Sequence, residues 1–513
     1  MNGSSYYEDV FWSLSLDEGC SVGIYGTGNG ADILLKIFNK TNKASLIKAF
    51  IDNDIAVKEK KCFKGYRLLR MDDAYHQVDV IIVAAIRNHK IVYNRVVNFI
   101  DDKGVTAKIK VIDFFAINTP AAVWEYMKYV EKYINKEKSD EFVEKSQRKF
   151  VRGTNDTKLI AWYLPQFHQM EINDKFYGKG FTEWTNTSQA IPVFTGHYQP
   201  HIPFDVGYYD LNNISTMAAQ IDLAKYYGVY GFSFYFYWFS GKRIMEKPVE
   251  NFLKHTELDM PFCLTWANEN WSALWDAGNK ELIFEQHLSD EDDERIMEDL
   301  LPYFKDKRYI TINGNPVFIV YRPAIWAIER VRILFNNFRK IAKRNGLSGL
   351  YIMVANAGGF DEDVAEWGAD ALVEFPPHGI GSIIPEWQRE GYLNPDFLGT
   401  IKDAKEFIKK RQYLVHHAST VYYRGVMPGW DNTARKATTG ATVFTGLKPD
   451  SFKKWLKDVI CESNNIHKDN NNFVFINSWN EWAEGAHLEP DIKYGYAYLQ
   501  AVKEAMEETR KHK

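Results

Sequence analysis

The stretch Leu159-Ile-Ala-Trp-Tyr-Leu164, followed at once by Pro165-Gln-Phe-His168, shows the pattern that governs most of the chain. An apolar run of this length is typical of a strand buried on both faces, and the polar turn marks its end. The predicted strands are Leu159–Leu164, Gly231–Trp238, Phe262–Trp266, Pro316–Tyr321, Leu350–Ala355, Ala371–Phe375, Val421–Val426 and Asn472–Asn477. Helices are predicted at Ile214–Tyr227, Glu291–Phe304, Ile325–Arg344, Ile401–Lys410 and Ser451–Glu462. This alternation predicts a (β/α)8 TIM barrel over residues 158–513.

A second, smaller α/β unit is predicted over residues 1–125. A strand runs into a glycine-rich turn and then into a helix, and further apolar strands follow. These strands are Ser21–Tyr25, Leu46–Ile51, Val78–Ala85 and Lys110–Phe115. The order is typical of a small doubly wound, Rossmann-like sheet.

The glycine turn of this unit is a candidate nucleotide site. A turn between a strand and a helix is the right setting for a pyrophosphate at the helix N-terminus. Gly26, Gly28 and Gly30 would form it, although the third glycine comes one residue early for G-x-G-x-x-G. Asp52, about 20 residues further on, would bind a ribose. The ligand would be a nucleotide-sugar or a nicotinamide dinucleotide, and the alternative is a degenerate module used only for assembly.

Residues 126–157 are predicted to link the two units. Met127–Lys149 is rich in Lys, Glu, Tyr and Phe and has no internal Gly or Pro, which favours a charged helix. Arg152-Gly-Thr-Asn-Asp156 is typical of a turn.

Composition narrows the class of protein. The 513 residues carry 63 Lys and Arg against 67 Asp and Glu, and the net charge of −4 argues against a general nucleic-acid or membrane-surface binder. Aromatic residues make up 15% of the chain, which suits either a large core or a cleft that stacks on sugar rings. The four cysteines are scattered, and neither a leader nor a long apolar run is visible. We therefore expect a cytoplasmic protein without disulfides or a membrane span.

Chemistry is expected in the loops that follow the barrel strands, because active sites of this fold lie at the C-terminal strand ends. After the eighth strand, Glu481 and Glu484 stand three residues apart. In a helical turn their Cβ atoms would lie about 5–6 Å apart, and retaining glycosidases use a similar carboxyl separation. Two carboxyls so close tend to divide into one acid and one base. The alternative is a helix start whose acidic residues only complement the helix dipole.

Other strand ends combine acidic residues with Asn and Trp, the side chains that bind sugar hydroxyls and stack on sugar faces. These groups are Glu183-Trp184-Thr-Asn186, Trp266-Ala-Asn268-Glu269-Asn-Trp271 and Trp430-Asp431-Asn432. Arg435 would neutralise a phosphate or carboxylate of the ligand, or pair with Asp431 and hold the loop. The alternative for each group is a buried polar network that braces the barrel.

No metal centre is predicted. The histidines form no ligand pattern such as H-E-x-x-H. They are His168, His201, His378, His416, His417 and His487. The adjacent His416 and His417 would face opposite ways on a strand. We therefore expect barrel chemistry that requires no cofactor.

Several long motifs resemble those of the WbsX family, the glycoside hydrolase family 99-like proteins of bacterial polysaccharide biosynthesis loci. They are Tyr163-Leu-Pro-Gln-Phe-His168, Lys179-Gly-Phe-Thr-Glu-Trp-Thr-Asn186, Tyr198-Gln-Pro-His201, Trp266-Ala-Asn-Glu-Asn-Trp271, Glu374-Phe-Pro-Pro-His-Gly379, Pro428-Gly-Trp-Asp-Asn-Thr433 and Trp479-Asn-Glu-Trp-Ala-Glu-Gly485 with Leu488-Glu-Pro490. The resemblance covers residues 158–508. It departs after Trp271, where Ala273-Leu274 precede Trp275 in place of a basic pair, so a contact to an anionic ligand group would differ.

The resemblance implies a (β/α)8 barrel that acts at glycosidic bonds without a metal. By that likeness Glu481 is the base that draws a proton from the sugar's 2-hydroxyl. Glu484 is the acid that protonates the leaving oxygen and then the base that activates water or an acceptor hydroxyl. The expected substrate-binding residues are His168, Glu183, Trp184, Asn186, Tyr237, Trp266, Asn268, Glu269, Trp271, Glu374, Trp430, Asp431, Asn432, Arg435, Trp479, Asn480 and Trp482.

Three functions stay open at this point. The paired carboxylates favour a retaining enzyme that cleaves or rearranges a bacterial surface polysaccharide. A cytoplasmic location and the Rossmann-like unit favour a glycosyltransferase with a nucleotide-sugar or lipid-linked donor. The third is a non-catalytic regulator that binds a glycan or a nucleotide-sugar. In each case the partner is an oligo- or polysaccharide, with a nucleotide-sugar as a second candidate.

Overall fold

The computed structural model describes residues 8, 11–12, 14–53, 62–85, 89–115, 127, 130–131, 138–272, 282–289, 291–358, 360, 363–387, 397, 399–415, 417, 420–436, 440–468 and 470–510. Among them, eight parallel strands close into a barrel. Each strand pairs with the next along the chain, and the eighth pairs back with the first. The strands are Lys158–Tyr163, Gly231–Phe239, Phe262–Trp266, Asn315–Val320, Tyr351–Asn356, Ala371–Glu374, Tyr422–Val426 and Phe473–Ile476. The predicted barrel is confirmed, and each predicted strand matches its observed bounds to within one residue.

Side chains fill the barrel interior, so it is a packed core rather than a channel. Trp162 lies inside with no exposed surface, and its ring centroid is 4.5 Å from that of Phe375. Its indole N–H donates to Thr265 Oγ1 at 3.0 Å, so the buried polar atom is satisfied. Any ligand must therefore bind in the loops above the strands.

Helices surround the barrel and also occur in its loops. The helices are Glu171–Tyr177, Glu183–Gln189, Ile214–Tyr227, Lys247–Lys254, Asp292–Phe304, Ile328–Arg344, Lys405–Lys409, Thr433–Lys436, Pro449–Ile466 and Ala497–Thr509, with 3-10 turns at Pro323–Ile325 and Trp482–Glu484. Short strands lie at Lys242–Ile244, Trp271–Ser272, Leu282–Phe284, Thr311–Ile312, Thr400–Asp403, Thr442–Thr445, Asn480–Glu481 and Ala486–His487. None of the described helices is both long and apolar enough to cross a membrane.

The predicted helix Ile401–Lys410 is wrong over its first part. Residues Thr400–Asp403 form a parallel strand with Thr442–Thr445, and only Lys405–Lys409 is helical. Ile401 is buried in a small apolar cluster with Val443. Strand pairing in a loop sheet has therefore overridden the local helical pattern.

The N-terminal residues form a separate six-stranded sheet. Its strands are Val22–Tyr25, Ile47–Ile51, Cys62–Phe63, Tyr66–Leu69, Val80–Val83 and Lys110–Asp113, and its helices are Asn29–Lys40, Met71–Ala74 and His89–Asp102, with a 3-10 turn at Ala44–Leu46. All neighbours are parallel except the hairpin Cys62–Leu69, which the sequence analysis missed. Lys64 and Gly65 adopt φ of +49° and +89° at its turn, the geometry of a two-residue hairpin loop.

Gly30 is expected to be essential for packing in this sheet. A Cβ at position 30 would lie 1.9 Å from the carbonyl oxygen of Ala84. Gly30→Ala should therefore lower the free energy of unfolding by about 1–3 kcal/mol, although alanine normally favours a helix over glycine. Hydrogen exchange in peptides from 22–51 measures the effect. Gly19→Ala is the control, since a Cβ there meets nothing within 4 Å, and equal protection in both variants would contradict the close contact.

Residues 138–150, here called the strap, run along the barrel in an irregular, partly extended path. Val143 exchanges backbone hydrogen bonds with two residues, its N–H donating to Tyr494 (3.1 Å) and its carbonyl accepting from Tyr496 (2.9 Å). Phe150 N–H donates to the carbonyl of Tyr226 at 2.8 Å. The predicted helix Met127–Lys149 is therefore wrong over 138–149, because pairing with the barrel outweighs helix propensity. Most of its earlier part lies outside the described residues.

Candidate active site

A tight hairpin after the eighth barrel strand presents the two predicted catalytic glutamates. Strand Asn480–Glu481 pairs with Ala486–His487, and the 3-10 turn Trp482–Glu484 connects them. Gly485 closes the turn with φ +60°, and a Cβ there would lie 3.0 Å from the Cβ of Asp431. The hairpin therefore fixes both carboxyls on one short, tightly packed loop.

Arg435 gathers three carboxylates at this point. Its Nη2 donates to Glu481 Oε1 at 2.7 Å and to Glu183 Oε2 at 3.2 Å, and its Nη1 donates to Glu484 Oε1 at 2.6 Å. The Arg435 side chain is only 4% exposed. Arg435 therefore pairs with the acidic cluster, whereas the sequence left open a ligand contact or a pair with Asp431.

Burial dominates the acid–base properties of the cluster. It raises the pKa of Glu481 well above the usual glutamate value, against the opposing pull of Arg435, and it raises the pKa of Glu484 in the same way. Burial alone would lower the pKa of Arg435, but the carboxylates around it raise that pKa well above the ordinary value. One fixed cation thus faces two glutamates whose pKa values burial raises, an arrangement that suits acid–base catalysis.

Three tyrosines lie next to the cluster and are half-buried. Gln166 Nε2 donates to Tyr237 Oη at 2.8 Å. Burial raises the pKa of Tyr235, Tyr237 and Tyr321, and Glu481 or Glu484 raises each of them further. Their hydroxyls therefore stay protonated as hydrogen-bond donors. Tyr235 and Tyr321 are not among the residues predicted from sequence, although Tyr235 shares a strand face with Tyr237 by the two-residue alternation.

A cavity of about 150 Å³ lies at the ends of the fifth and sixth barrel strands, where Asn356 and Glu374 line it. His378 lines it, and His378 Nε2 donates to Tyr321 Oη at 3.1 Å because His378 Nδ1 accepts from Gly358 N–H. Glu374 also lines the cavity, but it is ion-paired with the buried Arg424 and accepts from Gly425 N–H at 3.0 Å. Glu374 thus pairs with Arg424 and holds two neighbouring barrel strands together.

Four of the predicted substrate-binding tryptophans are buried and packed against protein. These are Trp184, Trp266, Trp479 and Trp482, which are at most 8% exposed. The indole N–H groups of Trp479 and Trp482 donate to the two oxygens of Glu489, at 3.1 and 2.7 Å. Trp271 and Trp430 are half-buried. The buried rings stabilise the loops, whereas Trp271, Trp430 and the three tyrosines keep part of their surface exposed.

The carboxylate of Glu489 holds the glutamate hairpin in place through hydrogen bonds. Besides the two indoles, its carboxylate accepts from Tyr209 Oη at 2.8 Å and Gln220 Nε2 at 2.6 Å. Burial raises its pKa to about 7, although the hydrogen bonds from Trp482, Gln220, Tyr209 and Trp479 oppose the rise. Glu489 lies in the Leu488-Glu-Pro490 motif but is not among the predicted site residues, since nothing local distinguishes a buried acceptor from an exposed glutamate.

Several other predicted residues hold loops in place. Asn268 brackets the backbone of Arg322, with its amide donating to the carbonyl at 2.8 Å and its oxygen accepting the N–H at 2.7 Å. The neighbouring Glu269 pairs with the Arg322 side chain, and both are partly exposed. His168 Nδ1 lies 2.7 Å from the Pro165 carbonyl. These contacts match the bracing alternative, and Glu269 alone of this group also faces solvent.

The remaining predicted residues occupy varied positions. Asn480 clamps the first barrel strand by donating to the Leu164 carbonyl (3.0 Å) and accepting its N–H (2.7 Å). Asn432 Oδ1 accepts from Thr442 N–H at 2.7 Å. Asn186 lies half-buried one helical turn after Glu183. His416 and the departure at Ala273-Leu274-Trp275 lie outside the described residues.

Asp431 is expected to stabilise the loop that carries Arg435. His197 Nε2 donates to its carboxylate at 2.6 Å, and Thr433 donates through Oγ1 at 2.6 Å. Burial alone would raise the pKa of Asp431, but His197 and Thr433 lower it from 3.8 to about 2. Since the folded pKa is depressed, the carboxylate stabilises the fold above the unfolded pKa, and this contribution disappears as pH falls from about 4 to about 2.

Asp431→Asn should therefore lower the free energy of unfolding by about 2 kcal/mol at neutral pH and by little near pH 2. Urea unfolding at several pH values measures this difference. Asp222→Asn, at an exposed helical position, is the control. A deficit that does not change with pH would contradict the assigned ionisation.

The predicted nucleotide turn has the expected glycine geometry at one position. Gly26 adopts φ +107°, and Gly30 packs against the neighbouring strand end as described above. Asp52 Oδ2 accepts from Thr27 Oγ1 at 2.6 Å, so this carboxylate is bonded to the turn itself. Nucleotide binding through Gly26, Gly28, Gly30 and Asp52 stays a prediction.

Comparison with known proteins gives a family for the barrel. Residues 159–502 match the family described as Glycosyltransferase WbsX. The chain is 38% identical over 349 residues to the uncharacterized protein WxcX in two strains of Xanthomonas campestris pv. campestris. The alignment covers 68% of this chain and 49% of each relative, so the chain spans about half the length of the curated relatives it matches.

Solved structures offer more distant likenesses. The GH99 endo-alpha-mannosidase from Bacteroides thetaiotaomicron is 14% identical, with a TM-score of 0.44 and coverage of 70% of this chain and 98% of that one. A glycoside hydrolase-like protein is 14% identical, with a TM-score of 0.43 and coverage of 72% and 98%. The barrel assignment rests on the strand pairings described above, independently of these likenesses.

Proposed function

Since the chain belongs to the WbsX glycosyltransferase family, we propose that it is an enzyme acting at glycosidic bonds of a bacterial surface polysaccharide or of its precursor. The observation that carries the proposal is the buried Arg435 with Glu183, Glu481 and Glu484 around it. This cluster lies at the C-terminal ends of the barrel strands, where enzymes of this fold place their catalytic groups. Half-buried tyrosines beside it offer rings and hydroxyls to a sugar.

In the proposed mechanism Glu481 and Glu484 work as a pair. Glu481 takes the proton of the sugar's 2-hydroxyl, and that oxygen attacks the anomeric carbon while Glu484 gives its proton to the leaving oxygen. Glu484 then takes a proton from water or an acceptor hydroxyl as the new bond to the anomeric carbon forms. The 2-oxygen leaves that carbon and recovers its proton from Glu481, so two inversions give retention.

Arg435 would keep this pair usable in a buried setting. Without it, repulsion between neighbouring carboxylates would raise the pKa values of Glu481 and Glu484 further. With one cation held in place, one carboxyl can stay ionised as the base while another stays protonated as the acid. The protonated tyrosine hydroxyls would donate hydrogen bonds to the sugar oxygens.

Water or a second sugar can complete the proposed reaction, and this choice separates a hydrolase from a transferase. The carboxylate pair favours a retaining glycosidase-like reaction. The description of the family as a glycosyltransferase favours transfer, with a nucleotide-sugar or lipid-linked donor, as the second candidate. A non-catalytic glycan-binding regulator would need neither carboxyl.

Mass spectrometry on the full-length chain tests these candidates. Native spectra of Glu484→Gln with a panel of nucleotide-sugars and defined bacterial oligosaccharides identify what binds, since the amide should bind substrate without turning it over. The unmodified chain is then incubated with that ligand in ¹⁸O-water. A shorter glycan that carries heavy oxygen at its new anomeric carbon indicates hydrolysis, and a longer glycan indicates transfer. Binding without turnover by the unmodified chain would contradict the enzyme proposal.

The role of the N-terminal sheet is a separate proposal. We infer that residues 1–125 form a Rossmann-like unit that binds a nucleotide or nucleotide-sugar, that residues 126–157 link it to the barrel, and that the chain acts in the cytoplasm. Loss of nucleotide binding on Asp52→Ala would support this assignment. If Asp52→Ala binds the nucleotide as well as the unmodified chain does, the nucleotide binds elsewhere.

A further inference from the structure

Two buried histidines and a buried aspartate meet behind the glutamate hairpin. His201 lies in the long loop after the first barrel strand, and His487 and Asp491 come from the end of the hairpin and the segment after it. His201 Nδ1 lies 2.7 Å from His487 Nε2, and His487 Nε2 lies 3.9 Å from Asp491 Oδ2. One ligand-type atom from each residue lies within 4.8 Å of the others. The sequence pattern missed this group because 286 residues separate the two histidines.

The ring of His487 is held as metal-binding histidines are held. Its Nδ1 lies 2.9 Å from the carbonyl oxygen of Glu489, and its ring stacks on Trp482 with a centroid distance of 3.8 Å. A ring N–H bonded to a backbone carbonyl fixes the tautomer and leaves the other nitrogen unprotonated. Nε2 of His487 is therefore the ligating type of nitrogen, and it faces His201.

The aspartate is also oriented before any ion binds. Asp491 Oδ1 accepts from the backbone N–H groups of Lys493 (3.0 Å) and Tyr494 (2.6 Å), and Oδ2 lies on the His487 side. Backbone hydrogen bonds join the same two loops, since Ile492 N–H donates to the Ile202 carbonyl at 3.0 Å. The three side chains thus converge from two chain segments that are already held together.

All three side chains are buried, with exposed fractions of 9% for His201, 3% for His487 and 2% for Asp491. A carboxylate buried beside two imidazole rings is a donor set that a divalent cation would bridge and neutralise.

We propose that His201, His487 and Asp491 bind one divalent first-row transition-metal ion, with Zn²⁺ the best match to the donors. Two imidazole nitrogens and a carboxylate oxygen are a common Zn²⁺ set, with bonds of about 2.0–2.2 Å. Around a tetrahedral ion such bonds place the donor atoms about 3.3 Å apart, so the two measured separations need to change by only about 0.6 Å. The ion, with water as its fourth ligand, would clamp the loop after strand one to the glutamate hairpin.

The competing explanation is an ordinary hydrogen bond between two neutral imidazoles. In that case a proton of His201 occupies the place proposed for the ion, and the group is complete without a metal. The two explanations differ in metal content and in the response of stability to added metal. Neither difference depends on glycoside turnover, so the metal proposal and the proposed function can fail separately.

The test uses the full chain purified without a histidine tag and dialysed against chelator and then against Zn²⁺ or Co²⁺. We expect about one ion per chain by elemental mass spectrometry, tetrahedral Co²⁺ absorption bands, and a Tm about 5 °C higher with metal than without. His487→Gln and His201→Gln should lose the ion. His168→Gln should keep it, since His168 is buried and bonded to a carbonyl in the same way but lies outside the group.

If the chain holds no metal after dialysis against Zn²⁺ and its Tm is unchanged, the proposal is wrong. His201 and His487 then form only a hydrogen-bonded pair. Equal loss of metal from His168→Gln and His487→Gln would also overturn it, because binding would then be adventitious. If the His201 and His487 variants fail to fold, removal and return of the ion in the unmodified chain decides the question.

Discussion

Replacing Glu484 with glutamine is expected to lower turnover of the bound glycan by about 10²- to 10⁴-fold, the range for loss of a general acid–base group. The substitution keeps the side-chain shape, and the amide oxygen can still accept from Arg435 Nη1, which now lies 2.6 Å from the carboxylate. Because burial already favours the neutral carboxyl, a neutral amide should cost little stability. The Tm and glycan binding should therefore stay close to those of the unmodified chain.

A substrate with an acidic leaving group distinguishes the role of Glu484 from that of Glu481. Such a leaving group departs without a proton, so it should restore the first step, measured as rapid release of the leaving group, in Glu484→Gln but not in Glu481→Gln. Glu462→Gln is a matched control, since Glu462 also pairs with an arginine, Arg424, but on the helix outside the barrel. If Glu484→Gln keeps most of its turnover, the acid–base assignment is wrong.

Replacing Arg435 with methionine is expected to destabilise the fold by about 3–5 kcal/mol near pH 8, because it leaves buried carboxylates without their cation. The deficit should shrink near pH 5. A carboxyl whose pKa is higher in the folded chain than in the unfolded chain stabilises the fold at low pH, below the unfolded pKa of about 4.5. This contribution falls as pH rises. Loss of Arg435 raises these pKa values further, so the deficit grows with pH.

Urea unfolding near pH 5 and pH 8 measures the effect of Arg435→Met. Adding Glu481→Gln to the Arg435 variant should restore part of the loss, since it removes one uncompensated charge. Arg424→Met is the control for a buried arginine with two acidic partners, Glu374 and Glu462, outside the cluster. Equal midpoints for Arg435→Met and the unmodified chain at both pH values would contradict the assigned electrostatics.

The barrel strands could be predicted from sequence because burial on both faces leaves near-continuous apolar runs. The loop strand at Thr400–Asp403 and the strap could not, since both depend on backbone partners more than 40 residues away. Local periodicity reports which faces of a segment are apolar. It carries no information about a distant strand or loop that offers unpaired N–H and carbonyl groups.

The two glutamates Glu481 and Glu484 could be selected from a short motif, but their pairing with Arg435 could not be predicted. Glu183 and Glu481 lie 252 and 46 residues from Arg435, and only the closed barrel brings them together. The tryptophans show the same limit. Trp482 and Trp430 both follow barrel strands, yet one is buried on Glu489 and the other keeps exposed surface, because burial depends on neighbours from other loops.

The strap decides where a minimal catalytic fragment can begin. A fragment starting at residue 158 would keep every barrel strand and both glutamates, yet it would remove the acceptors of a buried lysine. Lys503 is 2% exposed, and its ammonium donates to Ser146 Oγ at 2.7 Å and to the Arg148 carbonyl. An engineered truncation or a gene fusion should therefore cut the chain before residue 138, so that the barrel retains these acceptors.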